Sequence, residues 1–242
     1  NYDKAKDCFN LALNINPKYL NALNNLGNCL KDLKQFNNAI QTYEKAIKIN
    51  KDYAETYINL AKVLTIINNY DKANESYKKA LLINPNIDHY HSDYGVFFIK
   101  FKKYDHAIKS FEQAISLNQN AYENYRNISI CYLNKNRFSE AIINLKKALA
   151  LYPKSAELYN SLGHALYRLR KFSEAQDNFK SAIKINPKFI QAHINLGNIL
   201  KENNKLKEAI LSYEKAYLLD NKSEFLSGII LNTKMMICDW KF

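Results

Sequence analysis

His89 and His91 are the residues in this 242-residue chain that most resemble a metal-binding pair. Residues two apart on a helix sit about 200° apart around its axis, so the two imidazoles face opposite ways and cannot share an ion. His91 and His193 fall instead in a packing slot of a repeating pattern. Cys8, Cys29, Cys131 and Cys238 form no CxxC pair, and Cys29 and Cys131 occupy one phase of that pattern three units apart, too distant for a disulfide. No GxGxxG, phosphate-binding GK[ST] loop, HExxH or GxSxG run occurs. The chain is therefore expected to hold no catalytic centre, metal or cofactor.

The chemistry that does recur is amide chemistry. Asn25, Asn59, Asn127 and Asn195, with Asp93 and Ser161 in the same phase, form a column spaced at 34 residues or its multiples. Asn is a poor mid-helix residue, so its recurrence there asks for a use. Its amide both donates and accepts, and so pairs with the N–H and C=O of an extended peptide whatever that peptide's side chains are. At roughly 0.5–1.5 kcal/mol net per hydrogen bond, four such contacts give weak, unselective capture. Selection then falls to the column one helical turn on, Asn28, Lys62, Val96, Ile130, His164 and Asn198, polar at both ends and apolar in the middle. The competing source of these asparagines is the chain's general richness in Asn. Replacing Asn25, Asn59, Asn127 and Asn195 together by Ala is expected to weaken peptide capture with little loss of thermal stability.

The elements that must carry these columns follow from the period. Pro17, Pro85, Pro153 and Pro187 are 68, 68 and 34 residues apart, and Gly27, Gly95, Gly163 and Gly197 share one phase with Ala61 and Ser129. Two alanine columns run without a break: Ala39, Ala73, Ala107, Ala141, Ala175 and Ala209, then Ala46, Ala80, Ala114, Ala148, Ala182 and Ala216. Apolar residues such as Tyr57, Leu60, Ala61 and Leu64 recur at i, i+3, i+4 and i+7, one face of a helix. Small residues let a partner helix approach, and proline ends each unit. A single unit cannot bury its own faces, so units must stack.

This pattern resembles the tetratricopeptide repeat, a 34-residue helix-turn-helix unit, over about nine-tenths of the chain. The expected fold is all-α, a right-handed superhelix of antiparallel helix pairs. Residues 1–19 read as the second helix of a truncated repeat, 20–223 as six full repeats, and 224–242 as a capping helix and junction segment. With Gly27 at position 8 of its repeat, the asparagine column is position 6 and the selecting column position 9. The resemblance implies that first helices line a concave groove that binds peptide or protein. It does not extend to the carboxylate clamp of some family members, because His89 and Asp93 stand at the third-repeat positions where its Lys and Arg belong, position 5 of the first repeat is Asn24, and Arg126 is isolated.

The formal net charge of +12 raises nucleic acid as a partner. Lys45, Lys78, Lys79, Lys146, Lys147, Lys180 and Lys215 fall on second helices, expected to face the convex side or solvent, with no Arg-and-aromatic platform. Nucleic acid and membrane are therefore not expected partners. No apolar run approaches the roughly 18–20 residues that span a bilayer. Unpaired cysteines fit a reducing, cytoplasmic setting.

The closing run "LNTKMMICDWKF" breaks the period. Phe225, Leu226, Ile229 and Ile230 are expected to pack on the helix holding Ala209 and Ala216, while Met235, Met236, Ile237, Trp240 and Phe242 offer more apolar surface than a cap needs, an expected interface. Ile237-Cys238-Asp239-Trp240, together with "NNLGN" at 24–28 and "INLGN" at 194–198, resembles the array-to-core junction of O-linked N-acetylglucosamine transferase and its bacterial relatives. That resemblance implies a substrate-recognition arm, its catalytic domain following Phe242 as intrachain partner. The alternative is a stand-alone scaffold or assembly adaptor whose tail meets another subunit; self-association is left open.

Overall fold

The computed structural model describes residues 2–220 and 223–237. Among them every element is a helix, and 13- and 14-residue helices alternate. The first helices are α2 (Leu20–Asp32), α4 (Ala54–Ile66), α6 (Asp88–Lys100), α8 (Tyr122–Asn134), α10 (Ala156–Arg168), α12 (Ile190–Glu202) and α14 (Glu224–Met236). The second helices are α1 (Tyr2–Ile15), α3 (Phe36–Ile49), α5 (Tyr70–Ile83), α7 (Tyr104–Leu117), α9 (Phe138–Leu151), α11 (Phe172–Ile185) and α13 (Leu206–Leu219). The chain forms two compact units, Asn1–Gln119 with α1–α7 and Asn120–Phe242 with α8–α14. Among the described residues no helix is long and apolar enough to cross a membrane.

The position-8 column sets how closely the two helices of a repeat approach. A Cβ added to Gly27 would lie 2.4 Å from Tyr43 Cε1, to Gly95 2.6 Å from Phe111 Cε1, to Gly163 2.7 Å from Phe179 Cε1, and to Gly197 2.5 Å from Tyr213 Cε1. Each of these rings is buried. The aromatic at position 24 thus lies flat on the bare backbone of the facing helix, and every residue of both alanine columns is fully buried beside it.

The turn between the two helices is built alike six times. Lys34, Asn68, Lys102, Asn136, Arg170 and Asn204 have φ between 56° and 62°, the left-handed region. The following residue's N–H reaches five residues back, as from Gln35 to Leu30 O at 2.8 Å and Lys171 to Leu166 O at 3.0 Å. That 6→1 bond is the Schellman cap, here made without glycine. Asn tolerates the left-handed conformation; Lys and Arg do so at a steric cost.

Successive repeats are tied by hydrogen bonds. In the first unit Tyr90 Oη donates to Glu55 Oε2 (3.1 Å) and Lys100 Nζ to the Ile66 carbonyl (3.1 Å), where it also meets the C-terminal dipole of α4, while Tyr53, at the N-cap of α4, donates through Oη to Asn21 Oδ1 of α2 (3.3 Å). In the second unit one apolar cluster joins Leu145, Leu158, Leu162, Leu166, Phe179 and Ile199 across three repeats.

At the C-terminal end, Ile229 and Ile230 pack against Leu200, Ala209 and Tyr213, and Leu226 is buried. Phe225 departs from its expected packing: it is 66% exposed, because the helix turns residue 225 away from the side that carries 226, 229, 230 and 233. Leu231 stands where the other first helices have Gly, Ala or Ser, so an aromatic from a further helix cannot lie on α14 as Tyr213 lies on α12.

Candidate peptide-binding groove

The first helices touch across repeats, α2 with α4 and α4 with α6 in the first unit, α10 with α12 in the second, more closely than the second helices do. Closer spacing on one side curves a stack towards that side, so the first helices form the inner face within each unit.

The position-6 side chains are not uniformly free. Asn25 is exposed, but Asn59 and Asn127 are buried, at 7% and 9% exposure. Asn59 Nδ2 donates to Asn24 Oδ1 at 3.4 Å, and Asn195 Nδ2 donates to Asn160 Oδ1 at 2.9 Å while its own Oδ1 accepts from Gln191 Nε2 at 3.0 Å. The two Asn–Asn bonds share one register, position 5 of a repeat to position 6 of the next. Asn127 Oδ1 accepts from Arg126 Nη2 at 3.4 Å. Asp93 lies 2.7 Å from Lys62 Nζ, an ion pair although Asp93 Oδ2 has no well-aligned hydrogen bond. Ser161 is half-buried. A helical wheel places position 6 opposite the intra-repeat stripe, but the neighbouring repeat covers that side too. Part of this column therefore serves stacking.

The position-9 column divides by what faces it. Tyr43 Oη donates to Asn28 Oδ1, and Tyr213 Oη to Asn198 Oδ1, both at 2.8 Å. Where Phe replaces that Tyr, at Phe111 and Phe179, position 9 holds Val96 and His164. Burial pushes the Tyr213 phenol up to about 12. Lys62 is committed to Asp93, Val96 is 51% exposed, and Ile130 is half-buried. In the second unit His164, Tyr167, Phe179, Asn195 and Asn198 line a cavity of about 200 Å³. Burial, and then the Arg168 charge, hold the His164 imidazole below its ordinary value, so it is neutral and can donate or accept. Each unit thus has an amide-rich inner face with an apolar stretch of its own, at Val96 in the first unit and at Ile130 in the second.

The other sequence candidates are placed as follows. His91 and His193, each through Nε2, donate to the carbonyls of Pro85 (2.7 Å) and Pro187 (2.9 Å), a tie to the preceding repeat that wheel reasoning alone did not reveal. Among the described residues no group of three His, Cys, Asp or Glu is placed to hold a metal. The seven lysines assigned to second helices are all exposed. Met235 and Met236 are about half exposed and Ile237 is half-buried, while Trp240, Cys238, Asp239 and Phe242 lie outside the described residues.

A family model, the cilia and flagella-associated protein 70 C-terminal domain, matches residues 2–226. A comparison with curated proteins finds no match. Among solved structures, PilW, described as a widely conserved type IV pilus biogenesis factor, is similar at a TM-score of 0.74 and 19% identity, over 87% of this chain and 98% of that one. The pilF protein of Pseudomonas aeruginosa aligns at a TM-score of 0.71 and 18% identity, over 96% and 99%. YrrB, described as a TPR protein with an unusual peptide-binding site, aligns at 0.62 and 21%, over 76% and 95%. These likenesses establish a tetratricopeptide fold.

Proposed function

Because this chain belongs to the family of the cilia and flagella-associated protein 70 C-terminal domain and is built as a tetratricopeptide array, we propose that it is a protein-interaction module that captures an extended peptide on the inner face of its first helices. The observation that carries this reading is the partly exposed inner face itself: Asn25 and Val96 in the first unit, and the His164, Asn195 and Asn198 cavity in the second, combine amide hydrogen-bonding groups with apolar surface. YrrB, with its described peptide-binding site, supports the reading by analogy.

The narrower reading, a recognition arm of a glycosyltransferase resembling O-linked N-acetylglucosamine transferase, rests on the Ile237–Trp240 run and the asparagine column alone. The alternative, a scaffold or assembly adaptor whose tail at Met235, Met236 and Ile237 meets another subunit, is consistent with the matching family. A reducing, cytoplasmic setting belongs to the same proposal and fits the buried free thiol of Cys29.

The test is a peptide-display selection against the chain, followed by anisotropy titration of the selected peptides. Val96→Gln with Ile130→Gln removes apolar contact without lowering helix propensity, and should weaken binding about tenfold. Leu82→Gln with Leu218→Gln, at residues 84% and 80% exposed on second helices, should leave it unchanged. Equal effects from both pairs would sink the groove reading.

A further inference from the structure

The chain has 31 lysines spread along its length but only four arginines, Arg126, Arg137, Arg168 and Arg170, all within 45 residues of the second unit. A lysine bias alone does not produce that confinement. Arginine differs from lysine in offering a flat fork of donors matched to carboxylates. Three of the four lie at the turns between first and second helices, joined there by Lys135, Lys171 and Lys205. Residues 120–242 carry 19 Lys and Arg against 11 Asp and Glu, whereas residues 1–119 carry 16 against 12. The excess of positive charge sits where the arginines are.

The geometry holds these turns as one edge. The Arg168 guanidinium carbon lies 4.5 Å over the Phe138 ring, so the end of α10 abuts the start of α9 in the preceding repeat. Arg137 lies 4.8 Å over Tyr132 and is paired with Glu140 at 2.7 Å, and Lys171 is paired with Glu174 at 3.7 Å. Among the described residues no carboxylate forms an ion pair with Arg168 or Arg170, both of which are exposed. Stacking fixes the plane of the Arg168 guanidinium and leaves its in-plane N–H groups for a partner. Arg170 is exposed and stands at φ 60°, where three of the six repeats place Asn.

We propose that the turn edge of the second unit, centred on Arg168 and Arg170, docks a carboxylate-rich segment of a partner protein. Charge complementarity selects Asp and Glu, and the fork geometry favours carboxylates presented in succession along an extended chain. Nucleic acid fits less well, because the aromatic faces at this edge, Tyr132 and Phe138, are already covered by arginines and cannot stack bases. The inference goes beyond the groove reading and concerns a different surface.

The test titrates a labelled peptide of Asp, Glu and Ser residues into the full 242-residue chain at low salt. Arg168→Gln with Arg170→Asn should weaken binding about tenfold, two exposed charge contacts' worth. Arg170→Asn alone places the favoured residue at the turn, secures the fold, and should still weaken binding about threefold. Lys146→Gln with Lys180→Gln, removing as much charge from α9 and α11, should change affinity by less than about twofold. An equal loss from the lysine pair would overturn the proposal, as would tighter binding of a single-stranded oligonucleotide with the same arginine dependence. Loss of the peptide on Val96→Gln with Ile130→Gln but not on the arginine changes would also overturn it, leaving the groove reading standing.

Discussion

Gly197 and Gly228 lie in corresponding kinds of helix, α12 and α14, and the structure predicts opposite signs for the same substitution. At Gly197 a new methyl would meet Tyr213 at 2.5, 2.7 and 2.9 Å, roughly 1 Å inside ordinary contact. The ring is fully buried and its hydroxyl is held by Asn198 Oδ1 at 2.8 Å, so it yields only by breaking that bond. Overpacking of this kind costs about 1–3 kcal/mol, while exchanging Gly for Ala in a helix returns about 0.8–1.0 kcal/mol. Gly197→Ala should therefore lose up to about 2 kcal/mol net. At Gly228 nothing lies within 4 Å of the added carbon, so only the helix term acts, and Gly228→Ala should gain up to about 1 kcal/mol. The fold tolerates Ala in this column, as Ala61 facing Tyr77 shows, so the Gly197 variant should remain helical. Urea unfolding followed by circular dichroism, with hydrogen exchange on α12 and α14 because repeat arrays open piecewise, reads both signs. A stabilising Gly197→Ala as large as the gain at Gly228 would refute the close-approach argument.

Three further outcomes follow from the same structure. Lys102→Gly should raise stability by about 1 kcal/mol, since φ 57° strains a side chain but not glycine, whereas Asn136→Gly at φ 56° should gain much less; the urea midpoints of the two variants separate them. Tyr213 has a folded-state phenol pKa of about 12 against 10 when unfolded, so its contribution is complete below pH 10 and is lost as pH rises from 10 to about 12; Tyr213→Phe should flatten the fall in melting temperature over that window. His164 is held low, so protonation of the unfolded chain below pH 6.5 should erode stability as pH falls, and His164→Gln should remove that part of the slope.

The asparagine column shows where sequence reasoning stops. A wheel drawn for α4 places Asn59 opposite Tyr57, and the sequence holds no sign that α2 will cover it with Asn24. Burial of that side is a property of the stack, not of the helix. The expected neutrality of the fourfold Ala replacement fails for the same reason: Asn59 and Asn127 are buried, Asn59 and Asn195 tie repeats together, and their loss should cost about 1–3 kcal/mol for each polar partner left buried and unpaired. By contrast, the Gly27, Gly95, Gly163 and Gly197 column was fully legible, because close approach leaves a local mark, a missing side chain, at a fixed phase. The turn column was not read from the sequence: Asn68, Asn136 and Asn204 recur every second repeat, but Lys34, Lys102 and Arg170 between them disguise the shared left-handed conformation. The paired Tyr43–Asn28 and Tyr213–Asn198 bonds left a trace as well, since Asn stands at position 9 in both repeats that join Gly to Tyr.

The central claim, that the inner face of the first helices receives the peptide, is tested most directly by photo-cross-linking from single sites. A photoreactive residue replacing Val96, on α6, and another replacing Leu82, on α5, are each irradiated with the peptide obtained by display selection. Both positions are exposed, at 51% and 84%, so accessibility alone favours Leu82. Cross-linking from position 96 and not from position 82 is the predicted result. Cross-linking from position 82 with none from 96 would contradict the account.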